Sequence, residues 1–115
     1  MTDEVLTARL ADRVMGWRVA PGRFMMPDRR WKPAWRFQPT KKREDAFRLL
    51  DAADPAEYTI IGRRGRGFTV QVRLGNAVGT AEDKSEARAI VHAISRAFGV
   101  EPNAREPRKT GADIE

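Results

Sequence analysis

The chain has 115 residues, 41 % apolar and 33 % charged, with 22 Lys and Arg against 16 Asp and Glu and a formal net charge of +6. That length builds one folded domain, and the mix of apolar and charged residues excludes wholesale disorder. With no Cys, disulfides, thiol catalysis and cysteine-ligated metal centres are excluded. No run reaches the ~20 apolar residues of a membrane span, and the charged start MTDEVLTARLADR is unlike a signal peptide. A reducing, cytoplasmic setting is the expectation.

In chain order, Asp3 to Met15 predicts an amphipathic helix. Leu6, Leu10, Val14 and Trp17 recur at helical spacing with Val5 beside them, Thr2 or Asp3 supplies the cap, and Gly16 supplies the stop. Prolines at 21, 27, 33 and 39 exclude a helix from Arg18 to Pro39. Arg23 to Met26 suits a short strand. From Arg30 to Phe37 a period of two places Trp31, Pro33, Trp35 and Phe37 on one face and Arg30, Lys32, Ala34 and Arg36 on the other, with Pro33 confining any such strand to an edge.

Thr40 precedes a helix from about Lys41 to Ala52, with Ala46, Phe47, Leu49, Leu50 and Ala53 on its buried side and a break at Ala53-Asp54-Pro55. Three strands follow at Glu57 to Gly62, Gly67 to Leu74 and Ala77 to Thr80. The second alternates Phe68, Val70, Val72 and Leu74 with Thr69, Gln71 and Arg73, as a sheet with one buried face requires. A last helix from Asp83 to Phe98 carries a wide apolar stripe, with Asp83 and Glu86 spaced as a capping box and Lys84, Arg88, His92 and Arg96 facing away.

This order predicts a single α+β domain over residues 1–99. The expected architecture is an α/β/α sandwich on a small antiparallel sheet: a three-stranded meander, an additional edge strand, and three helices covering both faces. Residues 100–115 read as a flexible polar tail.

The run Leu10-Ala11-Asp12-Arg13-Val14-Met15-Gly16-Trp17, the Trp-rich stretch ending Trp35-Arg36-Phe37-Gln38-Pro39, the helix bearing Ala46, the hairpin and the final Ala-rich helix resemble the phage ABA sandwich domain family over about residues 5–99. That resemblance implies an α-β-α layered fold and a phage or prophage context, and it carries no catalytic residues. The chain departs from the family in its basic stretch and in the turn Arg63-Arg64-Gly65-Arg66-Gly67.

The charge is uneven. Arg18, Arg23, Arg29, Arg30, Lys32, Arg36, Lys41, Lys42 and Arg43 stand against one acid, Asp28, so this stretch carries +8 and the remainder −2 of the net +6. With Arg63, Arg64 and Arg66, a localised positive flank raises the local concentration of anionic partners; the alternative is a solvated surface that keeps a small protein in solution. The candidate contacts are Arg63, Arg64, Arg66, Arg29, Arg30, Lys32, Arg36, Lys41, Lys42 and Arg43. Cations opening the helix at Lys41 are disfavoured by the dipole by ~0.3–1 kcal/mol each, although Glu44 and Asp45 balance them.

Catalysis finds little support. His92 is the one histidine and has no second group spaced to assist it. The carboxylates Glu44, Asp45, Asp51, Asp83 and Glu86 read as caps and helix surface rather than metal ligands, and Gly62, Gly65 and Gly67 lack the strand-to-helix context of a phosphate loop. No cofactor, metal or membrane is therefore expected.

Two classes remain. The first is a non-enzymatic protein that stoichiometrically binds an acidic surface of a host macromolecule, such as a host defence component. The second is a nucleic-acid (DNA or RNA) or acidic-ligand binding domain, in which Trp31, Trp35 and Phe37 would stack bases between cations, although such large aromatics are more commonly core. Asp45 to Phe98 has the helix-strand-strand-strand-helix order of double-stranded RNA-binding domains. Where those domains place a lysine cluster, Glu82-Asp83-Lys84-Ser85-Glu86 is net acidic, which counts against that assignment. An exposed edge near Pro33, or a spare helix face, would support a homodimer.

Overall fold

The computed structural model describes residues 2–100; the remainder of the expected tail, 101–115, lies outside the described residues. Helix α1 spans Asp3–Leu10, and its first turn is capped by the Thr2 hydroxyl, which accepts from the Val5 N–H at 3.2 Å. It continues as a π-helical turn over Ala11–Met15 and stops at Gly16, whose φ of +72° is left-handed. Leu6, Leu10, Ala11 and Trp17 are buried. Val5, expected in the stripe, is 44 % exposed, so the stripe is narrower than predicted.

The proline-punctuated stretch forms a small antiparallel sheet of its own: β1 (Arg18–Ala20), β2 (Arg23–Met25) and β3 (Trp31–Pro33), in that order. Its pairing ends at Pro33, which has no N–H to donate. Ala34 donates to the Gly22 carbonyl and Phe37 to the Ala34 carbonyl, which folds Ala34–Arg36 into a 3-10 turn. That turn breaks the expected period-two face. Phe37 is fully buried, whereas Trp31 and Trp35 are 44 % and 63 % exposed. Phe37 instead joins Trp17 at 5.0 Å and Phe24 at 6.2 Å between ring centroids, both edge-on, within the range of favourable aromatic pairs.

Helix α2 spans Arg43–Ala53, starting two residues later than expected because the Lys41 and Lys42 N–H groups both donate to the Gln38 carbonyl. Its buried Asp45 reaches back, Oδ2 accepting from the Gln38 N–H at 2.9 Å, and so fixes the turn that leads into the helix.

The main sheet is the meander β4 (Glu57–Arg63), β5 (Gly67–Leu74) and β6 (Ala77–Asp83), all antiparallel, with Ile60 opposite Val70 and Val70 opposite Ala81. Helix α3, Glu86–Ala97, lies across β5 and β6 and also packs against α2. Enclosed on both sides, it buries Ala87, Ala89, Ile90, Val91, Ala93, Ile94, Ser95 and Ala97. Burying each large apolar side chain contributes ~1.5–3 kcal/mol. Val100 is also buried, so the packed domain extends one residue into the expected tail. The helix cap is Ser85, whose Oγ accepts from the Arg88 N–H at 3.3 Å; Asp83, expected as the cap, remains in β6 and accepts from the Ser85 N–H.

The α+β class and the antiparallel meander are as expected, and the extra strands form a second sheet instead of extending the first. Among the described residues the helices lie against one face of the main sheet rather than both, and Thr59, Ile61, Gln71, Arg73, Val78, Thr80 and Glu82 are exposed on the other. That face is mostly polar, so it needs no lid.

Candidate functional site

Helices α1 and α3 run side by side in the same direction. Asp3 at the start of α1 meets Arg88 in the first turn of α3 at 2.6 Å, while the Arg13 guanidinium beyond α1 donates to the Phe98 carbonyl at 3.0 Å. Helix α2 begins at the same end, where Arg43 and Glu86 form an ion pair at 2.7 Å. The β4–β5 hairpin tip arrives there as well, because Phe68 pairs with Asp83 at the end of β6. Gly67 packs so tightly that a side chain there would sit 2.5 Å from the Asp83 carbonyl and 2.7 Å from the Lys84 Cα.

This end therefore gathers the hairpin arginines, the helix starts and the turn before α2. Arg63, Arg64 and Arg66 are exposed, as are Lys84, Lys41 and Lys42, and among the described residues none of the six has a carboxylate within ion-pair distance. The tip itself is ordered: the Arg66 N–H donates to the Arg63 carbonyl at 3.0 Å, and Gly65 and Gly67 take φ of +78° and +93°, which glycine adopts without strain.

The ten predicted contacts do not share one flank. Arg63, Arg64, Arg66, Lys41, Lys42 and Arg43 lie at the helix-start end, but Arg43 is already neutralised by Glu86 and lies 5.0 Å over the Phe47 ring. Arg29 lies near the opposite end, lining a cleft with Gly16 and Arg18, about 18 Å away by the length of α3. Arg30 is held by Asp28 at 3.5 Å. Lys32 and Arg36 face rings, 5.4 Å from Trp17 and 5.5 Å from Trp35. The small sheet separates these cations because its β2–β3 turn and its β1–β2 turn point to opposite ends. Lys84, a member of the gathered set, is missed in the sequence because its neighbours Glu82, Asp83 and Glu86 mask it; Asp83 and Glu86 face Arg88 and Arg43 instead.

Beside this end lies a cleft of about 210 Å³ lined by Asp3, Glu4, Phe24, Trp35, Gln38 and Lys41 among others. His92 is half-buried, not facing away. Burial first, then the Arg88 and Arg96 charges, lower its pKa below the ordinary imidazole value, with Asp83 and Asp3 opposing. Arg88 likewise turns inward, bridging Asp3 and Asp83. Among the described residues, no three His, Asp or Glu side chains converge as a metal site would require, and no helix is long and apolar enough to cross a membrane.

The structure defines a small α+β domain with two antiparallel three-stranded sheets and one basic end. No protein-family model matches the chain, and no curated protein matches its sequence. Its fold is similar to that of a solved phage protein from Bacillus cereus ATCC 14579, with a TM-score of 0.72, 12 % sequence identity, and coverage of 88 % of this chain and 91 % of that one.

Proposed function

We propose that this chain is a phage or prophage protein related to the ABA sandwich family, with one face of its main sheet left open to solvent, and that it acts without catalytic chemistry by stoichiometrically binding an acidic surface of a host macromolecule in the cytoplasm. The contact surface is the basic end formed by Arg63, Arg64, Arg66, Lys84, Lys41 and Lys42. The observation that carries this proposal is the hairpin tip: three exposed arginines that have no carboxylate partner among the described residues, on a turn pinned against the start of α3. Holding charges in place before the encounter reduces the ordering cost of binding, and a localised positive field speeds association with an acidic partner. Structural likeness to a phage protein supports the phage setting, and a host protein that restricts phage growth is a natural target class.

A nucleic acid is the second reading, favoured by Trp35. It is 63 % exposed, with Arg36 at its ring and Lys41 in the same cleft, an arrangement that stacks a base while holding a phosphate. Titration against duplex DNA, single-stranded DNA and RNA at two salt concentrations separates the two. About four phosphate contacts give a log–log salt slope near −3.6 on duplex DNA. No binding at low salt removes the nucleic-acid reading. A host-lysate pull-down whose captured protein is lost with R64E/R66E, at unchanged melting temperature, supports the first; equal capture by both proteins overturns it.

A further inference from the structure

Among the described residues strand β4 is an open edge: it pairs with β5 on one side only, β5 is the one element it packs on extensively, and every residue from Glu57 to Arg63 except Ile60 is exposed. Tyr58 and Ile61 are 51 % and 43 % exposed. The edge carries none of the usual protections, having no proline, no internal charge and no bulge in its register with β5. An edge strand of this kind presents unpaired backbone donors and acceptors to another strand.

Its sequence is complementary to itself. Residues directly opposite in an antiparallel pair point to the same face, so two copies related by a two-fold axis perpendicular to the sheet must pair residues of equal parity. Centring the pair on Ile60 uses the whole strand. Glu57 then faces Arg63 of the second copy, and Arg63 faces the second copy's Glu57. Tyr58 lies opposite Gly62, where no side chain obstructs the ring, and Thr59 lies opposite Ile61, a β-branched pair. Shifting by one pairing step loses both charge pairs. We propose that β4 pairs with β4 of a second copy of this chain, antiparallel about Ile60, joining the two meanders into one six-stranded sheet. The contact is isologous and closes on itself, leaving β6 of each copy at the outer edges.

The homodimer expected near Pro33 is thereby placed on another edge. Glu57 already meets Arg73 of its own chain, on the exposed face, and Arg63 of the second copy approaches from the free side. A single seven-residue ladder is small beside the ~1,200–2,000 Å² of a standard interface, so the dimer is a reversible, concentration-dependent one. Arg63 is shared with the binding surface proposed above, but the pairing does not rest on that role, and Arg64 and Arg66 stay outside the paired strand.

Sedimentation equilibrium over ~5–500 μM tests this, since a weak contact of this kind has a Kd on the order of micromolar or weaker. The wild type should move from monomer to dimer mass across the series. E57R sets arginine against arginine and R63E sets glutamate against glutamate, so each alone should weaken dimerisation at least ~10-fold. Mixing the two restores both opposite-charge pairs and should yield a heterodimer, and the double variant E57R/R63E, in which the two charges are exchanged and again face their opposites in an identical copy, should regain the homodimer. Circular dichroism of each variant should show the wild-type fold, since Glu57 and Arg63 are exposed. A wild type that stays monomeric at the highest concentration overturns the proposal. So does a dimer that survives either single charge reversal, or a mixture that stays monomeric.

Discussion

Gly79 is the most tightly enclosed glycine among the described residues. A Cβ there would sit 2.0 Å from the Ala93 carbonyl and 2.5 Å from the Ala97 nitrogen, so backbone meets backbone between β6 and α3. G79A should therefore cost ~3 kcal/mol or more, lowering the melting temperature by about 12 °C or more. Asp45 is a second such point. Removing its carboxylate in D45A leaves the Gln38 N–H without its partner, a loss of about 1–3 kcal/mol measurable by urea denaturation. His92 gives a pH signature. Its folded pKa lies below the unfolded 6.5, so the unfolded chain binds more protons in the window between the two values. Its contribution to stability is thus complete above pH 6.5 and is lost as pH falls through the lowered value. Thermal melts at pH 7.5 and 5 should show this decline, and H92Q should flatten it.

Among the elements, α3 and β5 are legible because a helical stripe and a clean alternation leave little choice of face. The helix starts are not. Ser85 displaces Asp83 as cap because Asp83 still stands opposite Phe68 in the β5–β6 register, a tertiary pairing that local spacing does not encode. The aromatic stretch is misread for a similar reason: the sequence shows an alternation, but Pro33 ends the ladder and the chain turns before the alternation is used. Arg88 joins three elements by bridging Asp3 of α1 and Asp83 of β6. These groups are partly exposed, so R88M should cost only about 1 kcal/mol, read as a shift in the denaturation midpoint.

Across the whole molecule, the fold class follows from element order, whereas the site follows from which ends meet. The sequence shows the hairpin arginines and the cations before α2 as separate clusters; the Phe68–Asp83 pairing and the Arg43–Glu86 ion pair bring them to one end at the start of α3, while the β2–β3 turn carries Arg29 away. Charge reversal at this end should separate binding from folding. R64E/R66E should lose partner capture while the melting temperature stays within about 2 °C, because surface changes of this kind stay near ±0.5 kcal/mol.

The direct backbone contact at Gly79 also bears on how the domain opens. With no side chain between them, β6 and α3 cannot slide or separate by small steps, so amides of β5, β6 and α3 should exchange their hydrogens last and together, at the free energy of global unfolding. The three-residue strands β1, β2 and β3 are held by far shorter ladders and should exchange first.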